Sequence, residues 1–260
     1  MREAGSMGFD VPTVKMNSLR RTPSVETAID QGLVQVELQP VIDLATGRTF
    51  GYESLARCKL EALASPAQLF ATAIEQGSLA KLGRELRRRS VEAMQGAAVK
   101  DVTLFLNLHP AELDLQDVAS AGDPLATYPG KIVIEVPESS PILRYRFAST
   151  NLDTLRRRGA QIALDDFGAG YSNFGYIAQL NPDIVKLDRE LIAGVRVHSK
   201  QWKLIQSLNA LCGAQGATVI AEGVETRDEL AAVIAAGIPL AQGYYLGRPS
   251  VTGTSTWTPS

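Results

Sequence analysis

From about residue 34 to residue 246 the chain alternates strand-like and helix-like runs with little interruption, and that alternation narrows its possible folds more than any other feature. VQVELQPVIDL and FGYESLAR read as two strands around an ATG turn. A long helical stretch follows from about Pro66 through LFATAIEQGSLAKLGRELRRRSVEAM, with apolar residues three and four apart. VTLFLN, a short PAELDL helix, KIVIEV, the helix PILRYRFASTNLDTLRRRG, QIALD, a short YSNFGYIAQL helix and DIVKLD come next. KQWKLIQSLNALCGAQG, ATVIAEG, TRDELAAVIAAG and PLAQGYYL complete the series. Helical crossovers between strands imply a mainly parallel sheet. A chain of 260 residues with 45% hydrophobic content suits one α/β domain, a closed TIM-like (β/α)8 barrel of about eight strands. The competing architecture is an open doubly wound sheet, which would gather its ligand groups at one switch point behind a glycine fingerprint. No such fingerprint follows the first strand.

Metal-competent groups recur where the apolar runs end. Glu53 lies in FGYESLAR, Asn107 ends VTLFLN, Glu135 is near the end of KIVIEV, and Asp165 ends QIALD with Asp166 beside it. Lys186 lies in DIVKLD, Glu222 follows ATVIA, and Gln242 sits within PLAQGYY. Parallel barrel strands finish at one face, so residues scattered along the chain are expected to converge there. With only His109, His198, Cys58 and Cys212 available, any ion must be held by oxygen, a donor set that suits magnesium or manganese. Taken singly, each position has an ordinary alternative. Glu53, Glu135 or Glu222 reads as a salt-bridged surface acid, Asn107 as a helix cap, Lys186 as a snorkelling lysine, and the DDFGAG glycines as a tight turn. Their joint occurrence favours a site, because several buried strand-end acids without cations would be costly. His109 is read as structural, and the RELRRRS run as a solvated helix face.

A net charge of −2 and a sequence pI near 5.8 leave no basic footprint for a nucleic-acid backbone, so polymeric nucleic acid is not an expected partner. The sequence carries neither a signal-peptide pattern nor an apolar run of membrane length, and the expected compartment is the cytoplasm. Residues 1–24 read as a flexible tail or linker and 251–260 as a C-terminal tail, with the domain between them at 25–250.

The motifs resemble, in order, those of the EAL domain family of bacterial cyclic di-GMP phosphodiesterases. Glu53, Ser54 and Leu55 stand for the signature triplet, which usually has Ala in the middle, and Arg57 follows two residues on. NLHP, EVPES, DDFGAGYSN, VKLDRE, AEGVET and QGYYLGRP resemble the family's later motifs, and the likeness covers Val34 to Pro249. It departs in the short segment CKLEALASPAQLF, which lacks the usual Trp and His-Pro, and in Pro137 and Ala169, each replacing Thr.

The resemblance implies an EAL-type barrel whose first strand is antiparallel, with two Mg2+ or Mn2+ ions that activate a water. One ion would take Glu53, Asn107, Glu135 and Asp165, and the second Asp165, Asp166 and Glu222, with Asp165 shared. Lys186 would hydrogen-bond a water in the site without having to be a general base. Gln39, Leu55, Arg57 and Gln242 would contact cyclic di-GMP or water at its site, Glu138 would hold the loop after Asp166, and Glu225 would stand behind the ligands. The implied reaction opens one phosphodiester to give linear pGpG. The alternative is an EAL module that binds cyclic di-GMP without cutting it, and a less favoured one is another magnesium-dependent barrel enzyme. A homodimer is expected, and input from a sensory or GGDEF partner, since residues 1–24 leave no room for such a segment.

Overall fold

The computed structural model describes residues 24–96, 102–115, 118, 120–139, 145–170, 174–253 and 257. Most of both tails, the start of the expected helix at Pro141 and the YSN at 171–173 lie outside the described residues. Eight strands close a barrel in chain order. They are β1 (Val34–Asp43), β2 (Thr49–Cys58), β3 (Thr103–Asn107), β4 (Ile132–Pro137), β5 (Gln161–Phe167), β6 (Ile184–Leu187), β7 (Thr218–Ala221) and β8 (Leu240–Ala241). From β2 to β8 every neighbouring pair is parallel, whereas β1 runs antiparallel to both β2 and β8. The cause is the short connection after β1. Asp43 Oδ1 accepts from the backbone N–H groups of Ala45 and Thr46, both at 2.9 Å, and Gly47 takes a positive φ, which closes a hairpin rather than a crossover.

The helices are α1 (Val25–Asp30), α2 (Pro66–Glu75), α3 (Leu79–Gly96), α4 (Ala148–Arg157), α5 (Phe174–Leu180), α6 (Arg189–Ile192), α7 (Lys200–Ala214) and α8 (Arg227–Ala235). The stretch expected as one long helix from Pro66 is two, because Gly77 at φ +65° turns the chain between Glu75 and Leu79. PAELDL is a 3-10 turn at Pro110–Asp114, and α6 has no counterpart among the expected elements. The RELRRRS run is only partly a solvated face. Arg87 and Ser90 are buried, and the Arg87 guanidinium meets Glu112 Oε1 at 2.6 Å and Asp123 Oδ2 at 2.8 Å. The local pattern RRR carries no sign of which arginine points inward.

Three apolar clusters among the described residues hold the barrel, one of which packs α1, α2 and Leu82 of α3 against Val34 and Cys58. A large cluster lies between the strands and the outer helices, with α3 across β1 and β3, α4 against β5 and α7 against β7. Inside, Val41, Phe105, Val133, Ala163, Ile184, Ile220 and Leu240 form one layer. Gly51 takes β2's place in that layer because a Cβ there would come within 2.6 Å of the Phe105 ring and of Thr103 O. Phe105 is fully buried and fills the floor on which the polar layer stands. We expect Phe105→Ala to cost about 3–5 kcal/mol of unfolding free energy in urea titrations. A loss below about 1 kcal/mol would mean that the floor is not close-packed.

Candidate active site

Side chains on a strand point inward at every second residue, so the layer above the apolar floor follows by counting two. From Gly51, Phe105, Val133, Ala163, Ile184, Ile220 and Leu240 the count reaches Glu53, Asn107, Glu135, Asp165, Lys186, Glu222 and Gln242. On the antiparallel β1 the count runs backward, from Val41 to Gln39, which pairs in register with Glu53. Each strand thus contributes one polar side chain to a single layer. Glu222 and Gln242 lie one residue past the named ends of β7 and β8, held by Glu222 N–H to Leu187 O at 3.0 Å and Gln242 N–H to Ala221 O at 2.8 Å.

Lys186 Nζ is the centre of this layer. It lies 2.6 Å from Glu135 Oε1, 2.8 Å from Glu222 Oε1, 2.9 Å from Asp165 Oδ1 and 3.5 Å from Glu53 Oε2, and it is only 1% exposed. Snorkelling is therefore overturned for this residue. Burial lowers the lysine's pKa, but the surrounding carboxylates outweigh it and hold the ammonium well above its ordinary value. One cation does not suffice for so many acids. Burial and neighbouring negative charge push Glu135 well above the ordinary carboxylate range, Glu222 to about 8 and Asp166 to about 6. For Glu53, burial raises the pKa, but Lys186 and hydrogen bonds from Gln242 and Asn107 bring it below its ordinary value.

Asp165 does not end its strand, as expected from the sequence, since β5 continues through Phe167. Consecutive strand residues normally face opposite ways. Here the pairing of β5 with β6 shifts between Leu164 and Phe167, and Asp166 takes φ +55°, a left-handed conformation that Asp tolerates. The bulge turns both carboxylates to the mouth of the barrel. Ligand oxygens of Asp165, Asp166 and Glu222 all fall within 4.8 Å of one another. Glu138 Oε2 accepts from Gly168 N–H at 3.1 Å and so braces the turn that follows. Gly168 is required there, at φ +104° and with Leu191 where a Cβ would stand.

A belt of amides supports the acids. Gln242 Nε2 donates to Glu53 Oε2 at 2.5 Å and to Gln39 Oε1 at 3.0 Å, and Gln39 Nε2 donates to Gly247 O at 3.2 Å. Asn107 Nδ2 donates to Glu53 Oε1 at 2.8 Å, which leaves its carbonyl oxygen for another partner. Asn107 is not the cap of the following turn. His109 takes that role, its Nδ1 accepting from Ala111 N–H at 3.2 Å, which fits its structural reading. Ser54, on the opposite face of β2, meets Ser90 Oγ of α3 at 2.6 Å, and Ser90 donates to Leu86 O at 2.8 Å.

The donor set fits hard divalent cations. Glu135 Oε2 and Gln242 Oε1 are buried and have no hydrogen-bond partner among the described residues, while Glu135 Oε1 and Asp165 Oδ1 meet the Lys186 ammonium without hydrogen-bond geometry. Buried oxygens in that condition are costly unless a cation takes them up. All the candidate donors are carboxylate or amide oxygens, and magnesium and manganese accept such a set.

A cavity of about 270 Å³ opens above this layer, lined by Gln39, Glu53, Glu222, Gln242, Arg189 and Tyr244 among others. Glu225 also lines it and pairs with Arg189 Nη2 at 2.9 Å. Leu55, Arg57 and Glu138 do not line it. Leu55 and Arg57 lie further along β2, toward the rim, where Arg57 Nε donates to Glu37 Oε2 at 2.8 Å. Sequence reasoning missed Glu37, Arg189 and Tyr244. Glu37 had a signal, being two residues from Gln39 on the same face of β1. Arg189 stands three residues past Lys186, and only the strand's end shows that the chain has reached the mouth. A larger hollow of about 470 Å³ on the flank, lined by Val118, Tyr128, Leu155 and Arg158 among others, holds no comparable acid cluster among the described residues, and its Asp123 is already bound to Arg87.

Known proteins resemble this chain in sequence and in overall fold. The EAL domain family model matches residues 23–249. The Pseudomonas aeruginosa cyclic di-GMP phosphodiesterase RocR is 29% identical over 249 residues, which is 92% of this chain and 64% of RocR. The chain spans 28% and 31% of the length of two other curated relatives, from Sinorhizobium fredii and Caulobacter vibrioides. Klebsiella pneumoniae BlrP1 in a calcium and cyclic di-GMP complex superposes with a TM-score of 0.76 at 29% identity, covering 86% of this chain and 57% of that one. The PaMucR phosphodiesterase in complex with c-di-GMP gives 0.73 at 26% identity, covering 84% and 97%. The barrel with its reversed first strand, the polar layer and the match across residues 23–249 lead to one conclusion: the chain belongs to the EAL domain family.

Proposed function

We propose that this chain hydrolyses one phosphodiester of cyclic di-GMP to give linear pGpG, using two Mg2+ or Mn2+ ions in the barrel mouth. The observation that carries the reading is the polar layer itself, with four carboxylates around one ammonium, Asp166 beside them, and buried oxygens without partners among the described residues. RocR is named for this activity, and BlrP1 binds the dinucleotide together with calcium or manganese. No helix among the described residues is long and apolar enough to cross a membrane, which accords with action on a cytoplasmic messenger. A homodimer and control by a sensory or GGDEF partner belong to the same reading, supported by family membership.

Asp165, Asp166 and Glu222 would hold one ion, and Glu53, Asn107 and Glu135 the other, with Asp165 shared. When bound, such ions acidify a water and neutralise charge on the phosphodiester under attack. In the reaction a water oxygen bonds to phosphorus, the bond from phosphorus to a ribose oxygen breaks, and that oxygen gains a proton. The chain's own residues prepare this step. Lys186 holds Glu135, Asp165 and Glu222 in one layer, and its ammonium would be released to hydrogen-bond a water once an ion takes up one of those carboxylates. Asn107 and Gln242 fix the two oxygens of Glu53, and Gln39 holds Gln242 by accepting from its Nε2. Glu138 steadies the turn that presents Asp166, and Arg57, with Leu55 beside it, offers its guanidinium to a phosphate at the rim. Glu225 keeps Arg189 over the mouth.

Incubation with cyclic di-GMP and Mg2+ or Mn2+, followed by chromatography, should yield pGpG only when the ion is present. Tight binding with no product would make the chain a receptor instead. Glu53→Ala and Asp166→Asn should each lower turnover by about 100-fold or more while leaving the far-ultraviolet spectrum intact. Near-native rates for either variant at saturating ion would contradict the ligand assignment.

The ion should also change how stability depends on pH. Acids whose pKa is raised by folding keep protons that the unfolded chain has released, so Glu222, Asp166 and Glu135 destabilise the ion-free fold as pH climbs from about 5 to about 8. His109, lowered by burial, acts in the opposite sense but does so with or without the ion, and Glu53, held below its ordinary value, is ionised throughout this range. The gain in Tm on adding saturating Mg2+ over EDTA is therefore expected to grow from pH 5 to pH 8. An equal gain at both ends of that range would contradict the charge excess inferred for the cluster.

A further inference from the structure

Glu37 and Arg57 stand in the same inward-facing columns as Gln39 and Glu53, on the mouth side of the acidic layer. The register pairs Gln39 with Glu53 and Glu37 with Leu55, so Arg57 lies diagonally across from Glu37. At about 3.3 Å per residue, Arg57 begins some four steps, roughly 13 Å, beyond Glu53 along β2. Its side chain is 36% exposed and that of Glu37 33%. A pair so open to water contributes little to stability. What it does contribute is geometry.

A guanidinium carries five N–H donors in a rigid plane. Arg57 Nε donates to Glu37 Oε2 at 2.8 Å, and Nη1 donates to Ala56 O at 3.0 Å. Two different nitrogens are thus anchored, one by a side chain from the neighbouring strand and one by the backbone, and together they fix the plane. Glu37 engages Nε alone, and among the described residues Nη2 has no partner, so the terminal edge of the guanidinium can meet the oxygens of a phosphate.

We propose that Glu37 is a positioning residue, which holds the Arg57 guanidinium with its terminal fork free so that the phosphodiester of the ligand meets a cation already in place. The inference rests on the reading of Arg57 as a phosphate contact. An arginine that is ordered before binding loses less conformational freedom when the ligand arrives, and ordering one such side chain is worth roughly a two- to tenfold change in affinity. Glu37 does this without touching substrate.

Glu37→Leu removes the anchor and keeps a bulky side chain at the position. It is expected to raise the KM for cyclic di-GMP, and its Kd by calorimetry, about three- to tenfold, with kcat within about twofold of the parent. Glu37→Gln, which keeps an oxygen acceptor, should recover most of the loss, which simple loosening of the strand would not allow. In an Arg57→Met background the KM is already raised, and Glu37→Leu should add nothing further. If Arg57→Met weakens binding while Glu37→Leu leaves it unchanged, or strengthens it because Glu37 competes with phosphate, the positioning role is overturned and the phosphate contact stands. If Arg57→Met itself leaves KM and Kd unchanged, the reading of Arg57 fails and the inference fails with it.

Discussion

The contact of Lys186 with four carboxylates governs the polar half of this barrel. A buried ammonium is costly alone, and so is a buried carboxylate, but each offsets the other when their atoms meet at 2.6–2.9 Å, as Nζ meets Glu135, Asp165 and Glu222. The balance is incomplete. Asp166 and Glu53 bring further negative charge, Glu222 is pushed up to about 8, and Glu135 Oε2 is left without a donor. A layer selected for stability alone would have replaced some of these acids with apolar groups of similar size. Keeping them is a local sacrifice of the kind that marks functional sites.

The barrel places this charge by simple counting. One inward layer is apolar and close-packed around Phe105, and the next, two residues along each strand, is polar. The short turn at Asp43 reverses β1 against its neighbours, yet Gln39 still arrives in the polar layer because the count runs backward there. At Asp166, β5 departs from the alternation. Its bulge and the left-handed backbone of Asp166 bring two consecutive acids to one side, which an unbroken strand could not do.

Much of this was legible in the chain. The alternation of elements gave the barrel, and the ends of the apolar runs gave Asn107, Glu135, Asp165, Lys186, Glu222 and Gln242, because period two and strand direction are properties of sequence. Other features were not. The break between α2 and α3 at Gly77 was hidden by helical spacing on both sides of it. The inward turn of Arg87 was hidden because its partners Glu112 and Asp123 are distant in sequence and each reads as an ordinary surface acid. The bond between Ser54 and Ser90 was hidden for the same reason: a hydroxyl in place of the usual Ala is satisfied by one from another element. Pairings across elements belong to packing, and no local pattern records them.

On the proposed reading, the excess of carboxylate around Lys186 holds divalent cations. Anomalous diffraction from a manganese-soaked crystal tests it most directly. The account predicts two strong peaks in the barrel mouth, with Asp165 between them and Lys186 Nζ drawn away from at least one of the carboxylates it now meets. A map with no peak among Glu53, Asn107, Glu135, Asp165, Asp166 and Glu222, and with Lys186 still bound to its acids, would contradict it.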